Sequence, residues 1–161
     1  MKPFTRLGLV LILAGLTVLG VVVLKSEKHV ARATISVKAG EFETRLFYLY
    51  ERDVRVLVEV IPSVAKVDIE VLDVTQYLKF IRGESYSHVY AVNGTSSIDF
   101  NFKPLRGVYV FVFRNSSGKS VLIRLTIVME GFEKGCFKVG VTLLAIGLVL
   151  IAVLKVLQRL F

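Results

Sequence analysis

Hydrophobic positions along this chain change their period twice, and the changes divide it into three parts. Leu7 to Leu24 is an apolar run without one charged residue, and Val139 to Leu154 is a second. A hydrocarbon layer about 30 Å thick needs roughly 20 helical residues. Segments 7–24 and 136–154 are therefore expected as transmembrane helices, with Phe137, Val156 and Leu157 extending the second while Lys138 and Lys155 reach for the interface. Between them the period is two. Val54, Val56, Val58 and Val60 alternate with Arg55, Leu57 and Glu59, and the same rhythm recurs in 67–71, 98–102 and 121–127. Alternation of that kind makes strands with one buried face and one wetted face. Val108 to Phe113 is apolar throughout, as expected of a central strand covered on both sides.

Turn residues fall between these runs: Ala39-Gly40, Ile61-Pro62-Ser63, Arg82-Gly83, Asn93-Gly94, 103–107 and Asn115-Ser116-Ser117-Gly118. Short strands at this spacing, with no amphipathic helix among them, predict an antiparallel β-sandwich over residues 25–135, a barrel being the alternative. The class is thus mainly β, flanked by two membrane helices.

Composition agrees: 54% hydrophobic residues and a mean hydropathy of +0.65 are too apolar for an ordinary soluble domain. The net charge of +8 raises the question of nucleic acid. Much of the excess sits at the membrane flanks, however: Lys2 and Arg6 in tail 1–6, Lys155 and Arg159 in tail 155–161, and Lys138 beside the second run. There it sets topology and meets anionic lipid, so no nucleic-acid partner is expected. Acid-free basic tails place both termini in the cytoplasm and the β domain outside the cell membrane. A cleaved signal peptide ending at Ala31-Arg32-Ala33 is the rival for the first run, but that run exceeds the usual length of about 7 to 15 residues. Cys136 is the only cysteine, so no intrachain disulfide can form. Few Gln and Asn beside many Val, Ile, Lys and Arg fit a thermophile, and a prokaryotic cell membrane, an archaeal one as the narrower option, is expected.

Gly8 and Gly15 are seven apart, as are Gly140 and Gly147, giving each apolar run a small-residue face for helix packing, supplemented by Thr17, Thr142 and Ala145. Candidate chemistry is sparse. His29 and His88 have no cysteine or carboxylate at metal-ligand spacing. Ser85, Ser87, His88 and Asp99 lack a nucleophile motif. No catalytic residue, metal or cofactor is expected. Asn93-Gly94-Thr95 and Asn115-Ser116-Ser117 are candidate N-glycosylation acceptors at predicted turns. Phe47, Tyr48, Tyr50, Tyr77, Phe80, Tyr86 and Tyr90 outnumber the rings that one sandwich face needs, so some are expected to form an exposed patch for a protein or the membrane surface.

The succession of an alternating strand (66–73), a Phe-rich strand (97–102), the run Gly107-Val-Tyr-Val-Phe-Val-Phe-Arg-Asn-Ser and a last strand leading into a membrane helix resembles the GOLD domain, the lumenal β-sandwich of the emp24/p24 proteins. Gly107, Tyr109, Phe111, Phe113, Asn115 and Ser116 carry the likeness, which spans about residues 33–133 and is most specific in its C-terminal half. It implies a sandwich that binds proteins on the lumenal or outer side. The p24 cysteine pair, juxtamembrane coiled coil and sorting tail have no counterpart here.

The expected function is therefore a non-enzymatic, membrane-anchored binding, adaptor or accessory subunit. Its expected partners are membrane lipids and another membrane or exported protein, or a further copy of itself. A p24-like cargo receptor is the alternative, and a membrane-bound hydrolase a third.

Overall fold

The computed structural model describes residues 2–160, with side chains described for 4–158. Met1 and Phe161, the outermost residues of the expected tails, lie outside the described residues, as do the side chains of Lys2 and Arg159. The chain forms two compact units: residues Lys28–Glu130, and the two terminal helices together.

In the first unit eight strands make two antiparallel four-stranded sheets. They are β1 (His29–Val37), β2 (Phe42–Leu49), β3 (Asp53–Ile61), β4 (Val67–Asp73), β5 (Tyr90–Thr95), β6 (Ser97–Phe102), β7 (Gly107–Asn115) and β8 (Val121–Glu130). One sheet has the order β1-β8-β3-β6, the other β2-β7-β4-β5. That order is a jelly-roll arrangement, in which the chain changes sheet at nearly every connection. The expected sandwich is present. The core is the inward half of each alternating run: Val54, Val56, Val58 and Val60 face Ile69, Val71, Phe111 and Phe113, with Ile123, Leu125 and Ile127 beside them. Each fully buried side chain of this size stabilises the fold by about 1.5–3 kcal/mol. Stacked Tyr90 and Phe100 rings, 3.7 Å between centroids, close one side of the sandwich.

Two expectations need correction, and the rival signal-peptide reading meets an obstacle. An amphipathic helix does lie among the strands: α2 (Val74–Ile81) follows β4 directly. Asp73 caps it by accepting from the Gln76 backbone N–H at 2.8 Å. Glu84 N–H to Lys79 carbonyl and Gly83 N–H to Phe80 carbonyl close its C-terminus, with Gly83 at φ +70. Tyr77 and Phe80 of α2, with Tyr86, cover Leu72, Val110 and Val112 on the outer face of the second sheet, so α2 is what buries the second side of β7. The Ala31-Arg32-Ala33 cleavage candidate lies inside β1, paired to Ile127, Thr126 and Leu125, and cutting there would remove half of that strand. Finally, Asn93-Gly94 is no turn. It sits within β5 at a register shift, where Gly94 takes φ +62 and its N–H bonds the Asp68 carboxylate at 2.8 Å.

The second unit pairs α1 (Lys2–Leu24) with α3 (Lys134–Leu160). Phe4–Leu24 and Lys134–Gln158 are each long and apolar enough to cross a membrane. Helical structure continues through segments 2–6 and 155–160, which the sequence pattern leaves as tails.

Candidate functional site

Gly8, Gly15, Gly140 and Gly147 lie where α1 meets α3. They are buried in helices whose surfaces are otherwise largely exposed. A Cβ on Gly15 would stand 2.8 Å from the Gly140 carbonyl oxygen, and one on Gly147 2.7 Å from the Gly8 carbonyl oxygen. Gly20, off this seam, has nothing within 4 Å. Close backbone approach of this kind substitutes for the hydrophobic driving force that lipid does not supply.

The outer face of the second sheet carries the aromatic residues. Phe42 packs edge-on against Phe80 at 5.6 Å, Phe80 meets Tyr86 at 5.3 Å, and Tyr77 stacks on Phe80 at 6.0 Å. Tyr86 donates to Glu70 Oε2 at 2.9 Å, and burial first, then this bond, pushes its hydroxyl above the ordinary tyrosine range. Half-exposed Phe42 of this cluster, Leu46 on β2 and Leu78 and Ile81 on α2 are all exposed large apolar residues. Phe47 and Tyr90, by contrast, pack against the core. The remaining rings, Tyr48 and Tyr50, meet edge-on at 5.2 Å beneath two arginines, Arg52 over Tyr50 at 5.5 Å and Arg106 over both.

The outer face of the first sheet is polar. Arg55 Nε donates to Asp99 Oδ1 at 2.9 Å and Nη2 to Oδ2, a bidentate pair beside Lys103–Asp53 and Lys28–Glu130, around an open depression of 450 Å³. Its hydrogen bond to Arg55 holds the Asp99 carboxyl below its usual value. Asp99 is thereby committed, while Ser85, Ser87 and His88 occupy the loop between α2 and β5 of the other sheet, so no Ser-His-Asp constellation is assembled. No group of three or more His, Cys, Asp or Glu that could hold a metal occurs among the described residues.

The two acceptor asparagines part company. Asn93 is exposed. Asn115 is fully buried: its Nδ2 donates to the carbonyls of Val37, Lys38 and Lys119, and its Oδ1 accepts from Ser117 N–H and Oγ. A sugar on that nitrogen would displace all three donations, so the expectation of Asn115 as an acceptor is corrected. The sequence shows an Asn-Ser-Ser-Gly turn but not that the amide turns inward to tie three chain segments together.

No protein-family model and no curated protein matches the sequence. Solved structures similar in part include the Yersinia pseudotuberculosis-derived mitogen (8% identity, 65% of this chain and 88% of that one, TM-score 0.46). Another is the pre-peptidase C-terminal domain of a Bacillus anthracis collagenase (10% identity, 60% and 87%, TM-score 0.47). A third is the periplasmic g-type lysozyme inhibitor PliG of Aeromonas hydrophila (12% identity, 62% and 84%, TM-score 0.45).

Proposed function

We propose that this protein is a two-pass membrane protein with both termini in the cytoplasm, whose sandwich stands outside the membrane as a non-enzymatic binding or accessory subunit for another membrane or exported protein. The observation that carries the reading is the exposure of large apolar residues on the outer side of the β2-β7-β4-β5 sheet, Phe42 and Leu46 on β2 and Leu78 and Ile81 on α2. Exposed large apolar residues grouped on one side of a folded domain fit a contact surface. Solvated ion pairs line part of the opposite face. The GOLD-like run Gly107 to Ser116 supports a protein-binding role of the same kind. A p24-like cargo receptor is the second reading. It is the weaker one because only Gly131, Phe132 and Glu133 separate β8 from α3, leaving no length for a coiled coil.

The test is purification of the full chain from its own membranes in mild detergent, beside Leu46→Arg. A defined protein recovered with the native chain and lost with the variant supports the reading. Recovery of the same proteins by both, or of the chain alone, overturns it. Protease added outside intact cells should cut the 28–130 domain, and protection there with cleavage after lysis would reverse the topology.

A further inference from the structure

The two ends of the sandwich differ in chemistry. One end carries both chain connections: Lys28 and Glu130, the unit's first and last residues, are bridged at 2.7 Å, and three residues join each to its helix (25–27 and 131–133). At up to about 3.6 Å per residue, each connector spans little more than 10 Å. The same end holds the β2–β3 loop, whose Asp53 pairs with Glu130, and the β6–β7 loop, where Phe102 pairs with Val54 and Gly107 with Leu49. At its tip Leu105 is 74% exposed, its carbonyl held by the Tyr109 hydroxyl at 3.1 Å. Arg106 Nε donates to the Tyr48 hydroxyl at 2.7 Å. Arg52 is only 4% exposed, yet its Nε and Nη1 have no hydrogen-bond partner. A buried guanidinium with two of its three nitrogens unpaired is costly and favours an anion nearby. At the far end Val64, 85% exposed, is an equally bare aliphatic tip, on the β3–β4 loop, which holds no tyrosine or arginine.

We propose that the Tyr48, Tyr50, Arg52, Leu105 and Arg106 end of the sandwich rests on the head-group layer of the bilayer that holds the helices, Leu105 and the tyrosine rings entering the interface and the arginines meeting lipid phosphates. This rests on the membrane-crossing reading. The short connectors bring this end to the lipid surface, aromatic rings favour the interface, and each basic side chain there adds attraction to anionic lipid. The domain is thereby held against the membrane rather than free on its stalks.

Full-length chains carrying Cys136→Ser and either Leu105→Cys or Val64→Cys, spin-labelled in nanodiscs of phosphatidylcholine with and without phosphatidylglycerol, test the proposal. The label at 105 should collide with a water-soluble nickel chelate about fivefold less often than the label at 64, and more often with oxygen. Arg106→Gln should lower the docked-to-free ratio about fivefold in the anionic discs. Arg52→Lys, which keeps the charge but not the planar fork, should fall between. Equal accessibility of the two labels in a chain that resists carbonate extraction overturns the proposal alone. Shielding at 105 that is indifferent to lipid charge and to Arg106→Gln overturns the phosphate contact. Extraction of the chain by carbonate overturns the membrane reading and this inference with it.

Discussion

The helix pair and the sandwich use the same residue types in opposite ways. In the sandwich Val, Ile and Phe are inside, and polar residues cover the first sheet. In the helices Leu13, Val10 and Val149 point outward, and the buried positions are chiefly glycines. The difference matches the proposed placement of the helices in lipid and of the sandwich in water. Where water lies outside, burying a methylene is the driving force; where hydrocarbon lies outside, it gains nothing, and closeness of backbones decides the packing.

The largest effect that separates the two units is a cavity. Phe111→Ala should cost the sandwich about 3–5 kcal/mol, followed by denaturant unfolding in detergent through the tyrosine near-ultraviolet circular dichroism, whereas Leu13→Ala on the helix surface should leave the α1–α3 pair unchanged, followed by cysteine cross-linking between the two helices. A similar loss from Leu13→Ala would mean that the helix exterior packs like a water-soluble core. Asn115→Ala comes next, at about 2–3 kcal/mol, because one buried and two part-buried carbonyls lose their donor at once.

The reverse contrast uses glycine. Gly15→Leu should weaken the α1–α3 pair by about 1–3 kcal/mol through overpacking, with Gly20→Leu neutral, as read by cysteine cross-linking across the seam. The unfolding midpoint of the sandwich should not move in either.

The smallest effect is in alkali. Burial raises the folded-state values of Tyr86 and Tyr109 above that of the unfolded chain. Their neutral forms therefore stabilise the fold fully below pH about 10, and this is lost as pH rises through the folded-state values. Tyr86→Phe should flatten the decline of the unfolding midpoint above pH 10, and an unchanged slope would remove Tyr86 from the account.

Much of the sandwich was legible because its buried half obeys a strict period: β3 reads inward at Val54, Val56, Val58 and Val60 without a fault. The glycines stood out for a similar reason, since a spacing of seven returns to one helix face. What escaped reading was local. Helix α2 is two turns long and follows an alternating strand without a break, so its signals, the Asp73 cap and Gly83 in the left-handed region, were masked by strand rhythm on one side and turn residues on the other. Asn115 looked like any turn asparagine because the direction of its amide is set in part by the Val37 and Lys38 carbonyls, nearly eighty residues away in sequence. Strand order was illegible altogether, since period two names the face of a strand and never its neighbour.

That order has a consequence for synthesis. Strand β8 lies between β1 and β3, and β1 has no other hydrogen-bonded neighbour in its sheet. A nascent chain that has reached Asn115 therefore holds β1 as an orphan and β3 open along one edge. Only when the last strand has emerged can it slide between them and join the oldest segment of the domain to the rest. Completion of the sheet and the start of the second apolar helix, three residues later, are thus almost the same moment in the life of the polypeptide.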